Sequence, residues 1–116
     1  MNKELYNCWK MTHKLIIHNC NKLRVIEYNN ELTLSASSEI ICRIIMLDDE
    51  CLCIYYIDVY SGSFNKKCNS VEQYLLTLEY FVRSLRGRKK KLMNTDIANE
   101  MDDVITMLYM SKFDED

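Results

Sequence analysis

An α+β fold is what this 116-residue sequence predicts: an antiparallel meander sheet of four to five strands with two C-terminal helices, arranged as a two-layer sandwich. Three observations carry that expectation. The first half holds short apolar-rich runs of strand length separated by Asn-rich or acidic joints. From residue 70 onward the apolar spacing switches to the helical 3.6-residue period. Hydrophobic residues make up 48% of the chain, enough for one core, so residues 1–116 are expected to form a single domain.

Taken in order, NKELYNCWKM places Leu5, Cys8, Trp9 and Met11 at spacings that suit a short helix or a loop anchored by Trp9. From His13 the runs KLIIH, KLRVIEY and ELTLSA read as strands, with Cys20-Asn21 and Asn29-Asn30 as the joints. Asn tolerates positive φ, so Tyr28-Asn29-Asn30-Glu31 predicts a tight hairpin turn, followed by Leu32, Leu34 and Ala36 alternating inward. EIICRIIML (39–47) and CLCIYYIDVY (51–60) are the most apolar runs, joined by the acidic turn Asp48-Asp49-Glu50. On the second run, Cys51, Cys53, Tyr55, Ile57 and Val59 share one face, and Leu52, Ile54, Tyr56, Asp58 and Tyr60 share the other. Both faces are rich in apolar residues, which predicts a strand either covered on both sides or covered on one and used for binding on the other.

After SGSFNKK, Ser70 and Gln73 match a capping box, and Val71, Tyr74, Leu75, Leu78, Val82 and Leu85 form the apolar stripe of a helix over 70–86 that ends at Gly87. A second helix is predicted to begin near Asn94 or Thr95 and to bury Ile97, Met101, Val104, Ile105 and Leu108. Met107, Tyr109 and Met110 fall partly outside that stripe, so this helix is expected to have two partners.

Several function classes are disfavoured by the composition. Two glycines in the whole chain are too few for a P-loop or a dinucleotide fingerprint. No apolar run approaches the roughly 20 residues that cross a bilayer, and the polar start MNKELYNCWKMTHK lacks a signal-peptide core, so no membrane partner and an intracellular location, cytoplasmic or nuclear, are expected. Six cysteines would suggest a disulfide framework in a secreted chain; inside a cell they read as reduced, mostly buried thiols. Cys51-x-Cys53 with His13 or His18 lacks the turn geometry and second pair of a structural zinc site, so no metal and no cofactor are expected. Cys68, ahead of a helix N-terminus and beside Lys66 and Lys67, is the one thiol whose position could lower its pKa, yet no motif supplies it with a base. The absence of Pro and heavy use of Asn, Lys, Ile and Tyr match the coding bias of an AT-rich genome, as in large DNA viruses, protists and some fungi.

Charge is distributed unevenly. RSLRGRKKK holds Arg83, Arg86, Arg88, Lys89, Lys90 and Lys91; outside it, nine of the 15 basic residues stand against 17 acidic ones. Arg83 and Arg86 suit the negative end of a helix, whereas the four cations beyond the last turn read first as a solvated helix-helix loop, next as a contact for an acidic protein surface or an import factor and, less well on so acidic a chain, for nucleic acid. The eight tyrosines and seven methionines supply interface anchors. The expectation is therefore a non-enzymatic protein-protein interaction module, homodimeric or in a hetero-complex, binding through Tyr56, Tyr60, Met107, Tyr109 and Met110, with the basic loop steering acidic partners. The alternative is a nucleic-acid-binding accessory protein using residues 86–91.

Overall fold

The computed structural model describes residues 2–47, 50–58, 61–87 and 92–113. The chain is an α+β fold, whose described residues form a five-stranded antiparallel sheet and three helices. Helix α1 (Lys3–Asn19) comes first, capped by the Asn2 side chain, which accepts from the Leu5 N–H at 3.1 Å. The run KLIIH belongs to this helix and is not the first strand. Leu15, Ile16 and Ile17 are three apolar residues in a row, which a short window cannot assign. The spacing Leu5, Cys8, Trp9, Thr12, Ile16 decides it, with Thr12 acting as a core residue because its hydroxyl donates to the Cys8 carbonyl at 2.9 Å.

Strands β1 (Arg24–Tyr28), β2 (Glu31–Ala36), β3 (Glu39–Met46), β4 (Leu52–Asp58) and β5 (Gly62–Cys68) follow in sequence order across the sheet. Asn29 and Asn30 both have positive φ, 50° and 63°, as a two-residue hairpin turn requires. Ser37 and Ser38 make the next turn in the same way, at φ 52° and 66°. Leu32, Leu34 and Ala36 point into the core as their alternation predicts. Of the acidic joint after β3, residues 48 and 49 lie outside the described residues. β5 takes in most of SGSFNKK, to which the sequence pattern assigns no element. It is an edge strand, exposed on one edge and over most of both faces, so only Phe64 and Cys68 turn inward and no apolar run marks it. A bulge opposite Leu34 and Ser35 inserts Ile41 into β3, burying Ile41 and turning Ile40 to the opposite face.

Helix α2 (Val71–Gly87) keeps the predicted cap: the Ser70 hydroxyl accepts from Gln73 N–H at 3.1 Å, and the Gln73 side chain reaches back to Asn69 N–H at 2.7 Å. Helix α3 (Leu92–Tyr109) starts slightly earlier than predicted and buries Ile97, Ala98, Met101, Val104, Ile105 and Leu108. α1 packs on β1, α2 packs on β4 and β5, and α3 lies against α1 and α2. The Glu100 carboxylate ties α3 to the α1–β1 turn by accepting from the N–H groups of Asn21, Lys22 and Leu23 at 2.9–3.2 Å. Between sheet and helices runs one cluster of buried side chains, with Trp9, Tyr74 and Phe81 the largest. Among the described residues no helix is long and apolar enough to cross a membrane.

Two carboxylates make electrostatic ties, one between α1 and β1 and one between β2 and β3. Glu27 bonds Lys10 and His13, each at 2.7 Å, and Glu31 bonds Arg43 at 2.6 and 3.0 Å. Lys10 above all holds Glu27 below the ordinary carboxylate value of 4.5, and Arg43 does the same to Glu31. A depressed folded-state pKa stabilises the protein at neutral pH, and that contribution is lost as pH falls below about 4.5 and through the folded value. Both pairs are partly solvated, so each is expected to contribute at most about 1 kcal/mol. Urea midpoints should therefore drop from pH 6 to pH 3 by less in Glu27→Gln/Glu31→Gln than in the parent.

Candidate interaction surfaces

Helices α1 and α2 pack on one face of the sheet with α3 against them, and among the described residues no helix or strand covers the other face. Register sets its composition: Ile26 sits opposite Thr33, Thr33 opposite Arg43, and Arg43 opposite Tyr55, while Tyr28 leads through Glu31 and Ile45 to Cys53. An antiparallel sheet with one wet face ordinarily carries polar residues there. This one exposes Ile26 (66%), Tyr28 (74%) and Ile57 (57%), together with Ile40 and Tyr55. Its central charge is satisfied within the face: Arg43 grips Glu31 with two nitrogens while its guanidinium lies 5.8 Å from the Tyr55 ring centroid. Ile40, Arg43, Tyr55, Ile57, Ser63 and Asn65 contribute to the wall of a shallow depression of about 220 Å³ at the end of β3–β5.

Tyr56 is not on that face. It is the residue before Ile57, points to the helices and is 6% exposed, stacked on Phe64 at 4.6 Å and tilted against Phe81 at 5.3 Å. The strand's exposed tyrosine is Tyr55, so the expected anchor at Tyr56 is corrected by one residue, and with it by one face. Burial and the nearby Asp58 push the Tyr56 phenol up to about 12. Its ring also reaches a second concavity, a groove of about 310 Å³ between α2 and the β4–β5 end, lined with Asp58, Ser61, Phe64, Tyr80, Arg83 and Ser84.

The last helix presents Tyr109 and Met110 to solvent, with Met107 half-buried. Tyr109 donates its hydroxyl proton to the Glu79 carboxylate on α2, and that bond pushes the phenol up to about 12. Of the basic segment, Arg83 is exposed and lies 5.3 Å from the Tyr80 ring centroid. Arg86 is engaged: it bonds the Asp102 carboxylate and the Asn99 side-chain oxygen (3.0 Å), joining α2 to α3. The expected site residues Tyr60, Arg88, Lys89, Lys90 and Lys91 lie outside the described residues.

Neither cysteine idea gains support from the geometry. All six cysteines are free thiols, and the described residues contain no group of three or more metal-ligating side chains. Cys68 is fully buried, its sulfur 3.5 Å from the Thr77 hydroxyl. Burial raises its pKa and outweighs the opposing effects of Thr77 and Lys66, the reverse of the shift that its place ahead of a helix and beside lysines could have produced. The open-face residues Ile26, Tyr28, Ile40 and Ile57 were missed as candidates because nothing within a single strand says which of its two faces the helices will cover. Comparison with protein-family models, with curated proteins and with solved structures found no match to this chain.

Proposed function

We propose that this chain is a non-enzymatic protein-protein interaction module, a small subunit or adaptor of an intracellular assembly, held as a homodimer or in a hetero-complex through the open face of its sheet. The observation that carries this reading is the set of exposed large apolar side chains Ile26, Tyr28, Ile40 and Ile57 on one sheet face that no other described element covers. Binding would bury these anchors around the self-neutralised Arg43–Glu31 pair, which presents no unpaired charge to an apolar partner. Tyr109 and Met110 on α3 offer a smaller second contact. The nucleic-acid reading is weakened because Arg86, one of its five proposed phosphate contacts, is committed to Asp102 and Asn99.

Light scattering on the purified protein at about 50 and 500 mM salt, with Tyr28→Asp/Ile57→Asp and Met110→Asp as comparisons, tests the proposal. The expected result is a molar mass, or a complex with a co-purifying partner, that survives high salt in the parent and is lost in the double variant with little change in melting temperature. Identical mass and partner content in the parent and every variant would refute it.

A further inference from the structure

We propose a second binding site, separate from the open face: the free edge of β5 and the aromatic groove beside it take an extended acidic peptide by strand addition. Among the described residues β5 pairs only with β4, so every other N–H and C=O along its far edge has no strand partner. That edge is basic, since Lys66 and Lys67 are consecutive and both exposed. Lysines on an edge disfavour pairing with a second copy, because antiparallel association of two β5 edges would bring like charges together. The same lysines favour a strand carrying carboxylates.

Alternation within β5 gives the partner a pattern. Phe64 and Lys66 face the helix side, and Asn65 and Lys67 face the other. A residue added opposite Phe64 points towards the groove where Phe64, Tyr56 and Tyr80 present ring surface and Arg83 stands over Tyr80. Such a pocket fits an aromatic or large aliphatic side chain. Residues opposite Lys66 and Lys67 are best acidic. In an antiparallel partner read from its N-terminus, the order is acidic, acidic, any residue, aromatic. Backbone hydrogen bonds to the β5 edge supply the common affinity, and the two lysines and the groove supply the selectivity.

The test is fluorescence anisotropy with labelled eight-residue peptides centred on Glu-Glu-Thr-Trp, Lys-Lys-Thr-Trp and Glu-Glu-Thr-Ala. The parent protein should bind the first at least about tenfold more tightly than either other. Lys66→Glu/Lys67→Glu should reverse the preference to the Lys-Lys peptide, and Tyr80→Ala should remove the discrimination between Trp and Ala. Ile26→Asp, at the opposite edge of the sheet and on its open face, should bind all three as the parent does, so failure of the open-face proposal leaves this result intact. Equal binding of the three peptides, no binding below about 1 mM, or an unchanged preference in Lys66→Glu/Lys67→Glu would overturn the proposal and leave the lysines only the role of blocking self-pairing.

Discussion

Trp9→Ala is expected to lower the free energy of unfolding by about 3–5 kcal/mol, the largest effect of any single substitution considered for this protein. Trp9 is fully buried and is the largest side chain where α1 meets the sheet. Its indole N–H donates to the Ile44 carbonyl on the central strand β3 at 3.2 Å, and the Tyr6 ring lies 5.9 Å away. Truncation therefore removes apolar burial, opens a cavity at the α1–β3 junction and deletes a buried hydrogen bond. A domain of this size has about 5–15 kcal/mol in total, so the variant is expected to be substantially unfolded at 37 °C. Trp9→Phe keeps most of the volume and should fall between the two. Urea denaturation followed by circular dichroism measures both; a loss under about 1 kcal/mol for Trp9→Ala would show that α1 is not docked through this residue.

Thr12→Val is expected to cost about 1–3 kcal/mol, more than Tyr74→Phe, even though each deletes one end of the same hydrogen bond. Thr12 and Tyr74 are both fully buried, with their hydroxyls 2.8 Å apart. Thr12 has a single hydroxyl proton, and it goes to the Cys8 carbonyl at 2.9 Å, so Tyr74 must be the donor between them. Valine leaves the Tyr74 O–H buried with no acceptor, whereas phenylalanine leaves Thr12 still bonded to Cys8. The double variant should recover part of the loss, because neither polar group then remains at the contact. A double-mutant cycle on urea midpoints reads this directly, and strict additivity of the two single changes would show that the hydroxyls are not coupled.

The legible parts of the fold are those decided by neighbouring residues. Asn29-Asn30 specifies a hairpin because both residues tolerate the positive φ of 50° and 63° that the turn demands. The Ser70 and Gln73 cap and the stripe from Tyr74 to Leu85 specify α2, since one helical surface must be apolar to pack. The illegible parts lie where an element's character depends on something distant. KLIIH has three consecutive apolar residues and could suit either period; it is helical because Trp9 and Thr12, upstream, dock against β3 and α2. β5 is polar almost throughout and becomes a strand through pairing with β4, from Leu52–Cys68 to Asp58–Gly62.

For the candidate surfaces the division is sharper. The sequence by itself determined that β4 would have two apolar faces and that tyrosine would be abundant along it, because alternation is a property of the strand alone. Only the tertiary structure decided that Tyr56 turns towards α2 while Tyr55 and Ile57 turn to solvent, since α1 and α2 pack on one side and, among the described residues, no helix covers the other. Likewise Arg86 carries the same charge as the cations beside it in the chain, and becomes an interhelical tie because α3 brings Asp102 to it. Local chemistry sets what each side chain can do, but burial and ion pairing depend on contacts between residues far apart in the chain, and these form only when the helices settle on the sheet.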